Sequence, residues 1–124
     1  MFTDSPAFNG FSCDDIPAAK QFYEQTLGLS VAEDDGMLTV TFADGHTMFI
    51  YPKPDHQAAT YTVLNFPVPD IDAAVAELRS KGIELLEYPD TDNGIQRGWG
   101  PPIAWFTDPA GNILSVLEQP GNSA

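Results

Sequence analysis

Few side chains in this sequence could do chemistry, and their positions narrow which chemistry that is. The histidines are His46 and His56, and the single cysteine is Cys13. A catalytic or structural metal needs imidazole, thiolate or carboxylate groups converging, usually three or more. His46 follows the turn pair Asp44-Gly45, and His56 lies in a polar, proline-containing stretch at 52–59. Neither has a recognisable serine or cysteine nucleophile motif around it. Cys13 alternates with Phe11 in an apolar strand pattern, which makes it a buried core thiol. Asp14-Asp15 and Asp70-Ile71-Asp72 look like the carboxylate pairs of general acid–base chemistry. Both precede helical patterns, where capping and first-turn charge explain them. The Gly-rich loop 93–100 carries Gln96, Arg97 and Trp99. Loops of such length are often functional, and Trp99 suits a stacking lid. Arg97 can meet an anion or offset nearby acids, the second being the simpler role. Trp105, in a strand pattern, is expected in the core.

The elements that must position these residues come twice. Asp15-Ile16-Pro17-Ala18-Ala19 returns 55 residues later as Asp70-Ile71-Asp72-Ala73-Ala74. Gly28-Leu29 returns as Gly82-Ile83, and Phe42-Ala43-Asp44-Gly45 returns, stretched, as Phe106-Thr107-Asp108-Pro109-Ala110-Gly111. In the first copy, alternation and turn residues predict strands at 6–13, 29–32, 37–42 and 47–51, with a helix at 16–26 capped by Asp15 and ended by Gly28. Asp35-Gly36 is a hairpin signal. In the second, strands are predicted at 61–68, 83–86, 103–106 and 113–117, with a helix at 71–81. A Gly- and Pro-rich loop fills 89–102, and the tail 121–124 reads as loose. The expectation is one α+β domain over 1–124, made of two tandem βαβββ modules, about 6–52 and 60–118, forming a curved mixed sheet around a groove.

Composition excludes several partners. Eighteen acidic residues against five basic give a net charge of −13. That charge repels phosphate backbones and anionic membranes, so neither nucleic acid nor a membrane surface is expected. It favours a cationic ligand, and it also reads simply as a solvated acidic surface. No apolar run approaches the roughly 18 residues of a membrane span. Residues 1–4 show no basic region leading into an apolar stretch, so no secretory leader is expected. One cysteine without an internal partner fits a reducing cytoplasm.

The motifs resemble those of the vicinal oxygen chelate superfamily, which includes glyoxalase I, bleomycin resistance proteins and extradiol dioxygenases. Phe22-Tyr23 with Leu27-Gly28-Leu29 is similar to its first-module signature, and Phe66-Pro67-Val68-Pro69-Asp70 to its second helix entry. Trp99-Gly100, Phe106 and Asp108-Pro109-Ala110-Gly111-Asn112 are similar to its late hairpin. The resemblance implies four metal-ligand positions, which here fall on Phe8, Phe49, Val63 and Ser115. Three of these cannot ligate a metal, so no metal and no other cofactor is expected.

The resemblance further implies a groove, and strand alternation gives its lining. Phe8, Phe49, Tyr51, Val63, Asn65 and Ser115 fall on that face, with Trp99 above it as the lid. Such a surface suits an aromatic or cationic organic ligand, bound by contact area and oriented by few hydrogen bonds. The expected function is metal-independent small-molecule binding by a homodimer similar to the bleomycin resistance group. The alternative is an enzyme (a lyase, transferase or dioxygenase-like protein) in which Asn65, Ser115, Tyr51 and the Trp99 loop act on a small metabolite. A third possibility is a regulatory or structural dimer with a vestigial groove.

Overall fold

The sequence repeat becomes a structural repeat. A computed structural model describes residues 1–119, so the expected loose tail at 121–124 lies outside the described residues. The chain divides into two compact units, with the boundary between Ala58 and Ala59.

In the first unit, β1 (Asn9–Cys13) leads to α1 (Ile16–Lys20), and β2 (Ser30–Asp34), β3 (Met37–Thr41) and β4 (Thr47–Pro52) follow. Asp15 caps α1 by accepting from Ala18 N at 3.1 Å, with Pro17 in the first turn. The helix then widens into a π-helical segment, Gln21–Thr26, closed by Leu27 N donating to Phe22 O at 2.9 Å. This widening was not legible in the sequence; it seats Tyr23, which is fully buried. Strand order is β1-β4-β3-β2, with β1 parallel to β4 and the other pairs antiparallel. Asp35 and Gly36, both with φ near +60 to +76°, form the two-residue β2–β3 turn that twisted hairpins favour.

In the second unit, β5 (Thr62–Val68) leads to α2 (Ile71–Ser80), and β6 (Ile95–Gln96), β7 (Ile103–Thr107) and β8 (Ile113–Glu118) follow. Asp70 accepts from Ala73 N at 3.2 Å, repeating the cap. Ile71, Val75 and Leu78, spaced along one helical face, are buried. Strand order is β5-β8-β7-β6, the same topology as the first sheet. Each βαβββ module therefore builds its own four-stranded mixed sheet.

The expected strand at 83–86 does not form. A single backbone bond, Leu86 N to Trp105 O at 2.8 Å, ties that segment to β7. The adjoining edge of β7 is taken by β6, where Ile95 pairs with Ala104 and Gln96 with Ile103. The long loop thus supplies the edge strand that the apolar pattern at 83–86 had suggested.

In both modules alternation separates two faces. Phe11, Cys13, Leu38, Val40, Met48 and Ile50 are buried in the first, and Ala104, Phe106, Leu114 and Val116 in the second. The residues between them form the opposite, open face of each sheet, which carries Phe49 and Tyr51 in the first module and Ser115 in the second.

Candidate functional site

On the open face of the first module, the register sets Gly10 beside Phe49 and Ser12 beside Tyr51. A Cβ on Gly10 would stand 2.8 Å from Phe49 O, so only glycine permits this approach of β1 to β4. The Phe8 ring packs on Phe49 with centroids 4.7 Å apart and planes tilted by 39°. Phe8 nevertheless stays 59% exposed and Tyr51 42% exposed. These two aromatic side chains leave apolar surface available to a ligand.

The same face holds a contact that local sequence did not reveal. The chain after β4 turns back through residues 53–56, with His56 N bonded to Lys53 O at 2.9 Å. This places His56 Nδ1 2.6 Å from Ser12 Oγ. A histidine of the polar 52–59 stretch thus folds onto β1, 44 residues away in sequence. A shallow pocket beside the pair is lined by Ser12, Tyr51, Lys53, Asp55 and Gln57. His46 stays exposed at its hairpin, Nε2 lying 3.0 Å from Asn9 Oδ1.

In the second module the equivalent of the Gly10–Phe49 pair is Asn65 beside Ser115. Ser115 is fully buried, and its hydroxyl donates to Asn65 Oδ1 at 2.6 Å. Asn65 itself is exposed. A β-bulge falls between Thr62 and Leu64, so Thr62, not Val63, sits opposite Ile113. Val63 is the extra residue of that bulge.

Thr62 is held by Trp105, whose Nε1 donates to Thr62 Oγ1 at 3.1 Å. Trp105 pairs with Ser115 across β7 and β8, which puts it on the open face rather than in the core as expected. Tyr88 stands against it, ring centroids 5.3 Å apart and planes at 88°. Around these two rings lies a cavity of about 460 Å³, which Tyr61, Thr62, Asp90 and Ile113 also line. Trp99 is 80% exposed on its loop. Arg97 pairs with Asp72 at 2.6 Å, the charge-offsetting role.

The comparisons with known proteins agree with this architecture. A model of the Glyoxalase/Bleomycin resistance protein/Dioxygenase superfamily matches residues 8–116. The chain belongs to that superfamily.

A glyoxalase family protein from Enterococcus faecalis is similar at 23% identity and a TM-score of 0.67, over 95% of this chain and 100% of that one. TnmS3, an antibiotic binding protein from Streptomyces sp. CB03234, is similar at 21% identity and 0.69, over 90% and 92%. A lactoylglutathione lyase from Agrobacterium tumefaciens is similar at 17% and 0.67, over 98% of each chain. No curated protein matches the sequence. Likeness at these identities shows the fold, which an antibiotic binding protein and a lyase share.

The metal positions implied for the superfamily do not suit a divalent cation in this chain. Phe8, Phe49 and Val63 have no side-chain donor atom, and the Ser115 hydroxyl is engaged by Asn65. Among the described residues, no three His, Cys, Asp or Glu side chains come together to hold a metal ion.

Proposed function

We propose that this chain is a small-molecule binding protein of the superfamily that works without a metal, holding an aromatic or cationic organic ligand on the open sheet face. The observation that carries this reading is the substitution of the ligand positions. Where a metal centre would need donors, the first module offers the Phe8–Phe49 ring pair. The second offers a serine closed onto Asn65, which turns the Asn65 amide N–H groups toward a ligand. In the first module Phe8, Phe49 and Tyr51 supply contact area; in the second, Val63 supplies contact area, Asn65, held by the Ser115 hydroxyl, orients a ligand, and Trp99 closes over it. The buried single cysteine fits a cytoplasmic protein. The two edge strands of each sheet favour pairing of two chains as a homodimer. The TnmS3 likeness makes antibiotic-like compounds the natural first panel.

The test is tryptophan fluorescence of the chelator-treated protein against neutral aromatic and cationic aromatic compounds. Saturable quenching that persists in excess chelator is expected. Silence across the panel, or quenching that needs an added divalent cation, contradicts the reading.

A second reading, an enzyme acting on a small metabolite, gains one specific support. A serine hydroxyl lies 2.6 Å from an imidazole nitrogen, and in the tautomer that carries its proton on Nε2 the Nδ1 atom accepts from that hydroxyl. On that reading, Ser12→Ala and His56→Gln each abolish turnover while ligand quenching persists. Turnover that survives both variants removes the support.

A further inference from the structure

The cavity of the second module has a chemistry more specific than an apolar groove. Its walls are aromatic and nearly perpendicular, since the Trp105 and Tyr88 planes meet at 88°. The pair is edge-to-face, so each ring keeps a π face that the other does not cover, and both rings line the cavity. The indole N–H is already spent on Thr62 Oγ1, so Trp105 presents its face and not its donor. Tyr61 lines the same cavity and is 69% exposed, an aromatic surface that nothing in its own module covers.

The charge at this corner is negative. Asp90 lines the cavity, and its Oδ2 accepts from the neutral Gln96 amide, which holds the carboxylate in place without cancelling its charge. The basic side chains are committed elsewhere. Lys20 pairs with Glu24, Lys53 with Asp55, Lys81 with Glu77 and Arg97 with Asp72, while Arg79 bonds Asn93 O. None of them lines the cavity. The backbone is fixed as well. Thr91 Oγ1 accepts from Tyr88 N at 2.9 Å, and Thr91 N donates to Tyr88 O at 3.0 Å, so Tyr88 and Asp90 sit on one tied turn.

We propose that Tyr61, Tyr88, Trp105 and Asp90 form a cage for the alkylated ammonium group of a small organic cation. Ring faces attract a cation whose charge is spread over methyl groups and weakly hydrated, and a nearby carboxylate adds to that attraction. A volume of about 460 Å³ holds a trialkylammonium head with part of its substituent. This assignment rests on the small-molecule reading above and names the ligand class within it.

Choline and 3,3-dimethylbutan-1-ol test it. They have the same shape, with a nitrogen cation in one and a neutral carbon in the other. Both are titrated into the full chain while the two indole N–H signals are followed by NMR, with Trp99→Phe assigning them. The expected result is a shift of the Trp105 signal, with choline binding at least about tenfold more tightly than the alcohol. Asp90→Asn, a change at an exposed residue, is expected to weaken choline roughly threefold to tenfold and to leave the alcohol unchanged. Trp105→Phe keeps a ring and part of the affinity, whereas Trp105→Leu loses it. Equal binding of the two probes at Trp105 overturns the cage and leaves the apolar-ligand reading standing. No shift with either probe, while a neutral aromatic still binds, overturns the cage alone. No binding by any compound overturns both. Sedimentation of the chain with phosphatidylcholine vesicles, lost in Trp105→Leu, overturns the assignment to a free small molecule.

Discussion

The two modules share one topology and differ at nearly every position that could meet a ligand. Gly10 beside Phe49 becomes Asn65 beside Ser115. Both pairs stand at matching places in a parallel β ladder, so the backbone pairing is kept while the chemistry changes. The first module's open face is aromatic and carries a Ser12–His56 contact supplied by the linker. The second module's open face carries a hydrogen-bonded Asn–Ser pair and a cavity walled by Trp105 and Tyr88. A duplicated fold thus fixes where side chains stand and leaves open what they are.

The modules differ in reinforcement too, and there the largest effect is expected. Asp44 in the first β3–β4 hairpin is exposed and accepts one bond, from His46 N at 2.9 Å. Its counterpart Asp108 is buried and accepts from Ala110 N, Asn112 N and Asn112 Nδ2, all between 2.9 and 3.0 Å. Asp108→Ala strands those donors and should cost about 3 kcal/mol in urea unfolding, against about 1 kcal/mol or less for Asp44→Ala. Equal losses would break the comparison.

The strand pairs give the next effects. Gly10→Ala drives a methyl group to 2.8 Å from Phe49 O and should cost about 2 kcal/mol. Asn65→Ala leaves the buried Ser115 hydroxyl without its acceptor and should cost about 1 to 2 kcal/mol. A neutral Gly10→Ala, read by the same denaturation, would mean that β1 can move away from β4 freely. The smallest effect belongs to the surface: Arg97→Ala breaks a pair whose side chains are 48% and 69% exposed. It should change stability by roughly 0.5 kcal/mol or less. A larger loss would show that this pair anchors the long loop.

Much of this was legible in the sequence, for identifiable reasons. The repeat, the Asp15 and Asp70 caps and the Asp35-Gly36 turn are local signals, and each stands where local rules put it. The misreadings are all non-local. The bulge at Val63 shows only against its partner strand, so strict alternation along β5 does not register it. Residues 83–86 have a strand's apolar pattern and lose the edge of β7 to residues 95–96. Trp105 has a core residue's composition, and its register with Ser115 decides its face. His56 looked remote because a linker's return path is not written in its own residues.

Native mass spectrometry tests the central claim of metal-independent binding most directly. The purified chain is stripped with chelator, incubated with the compound that quenches its tryptophan fluorescence most strongly, and sprayed under gentle conditions. The prediction is a stoichiometric organic adduct on metal-free protein, unchanged when zinc or another divalent cation is returned. An adduct that forms only with a bound divalent metal would contradict it and would place a metal at the site.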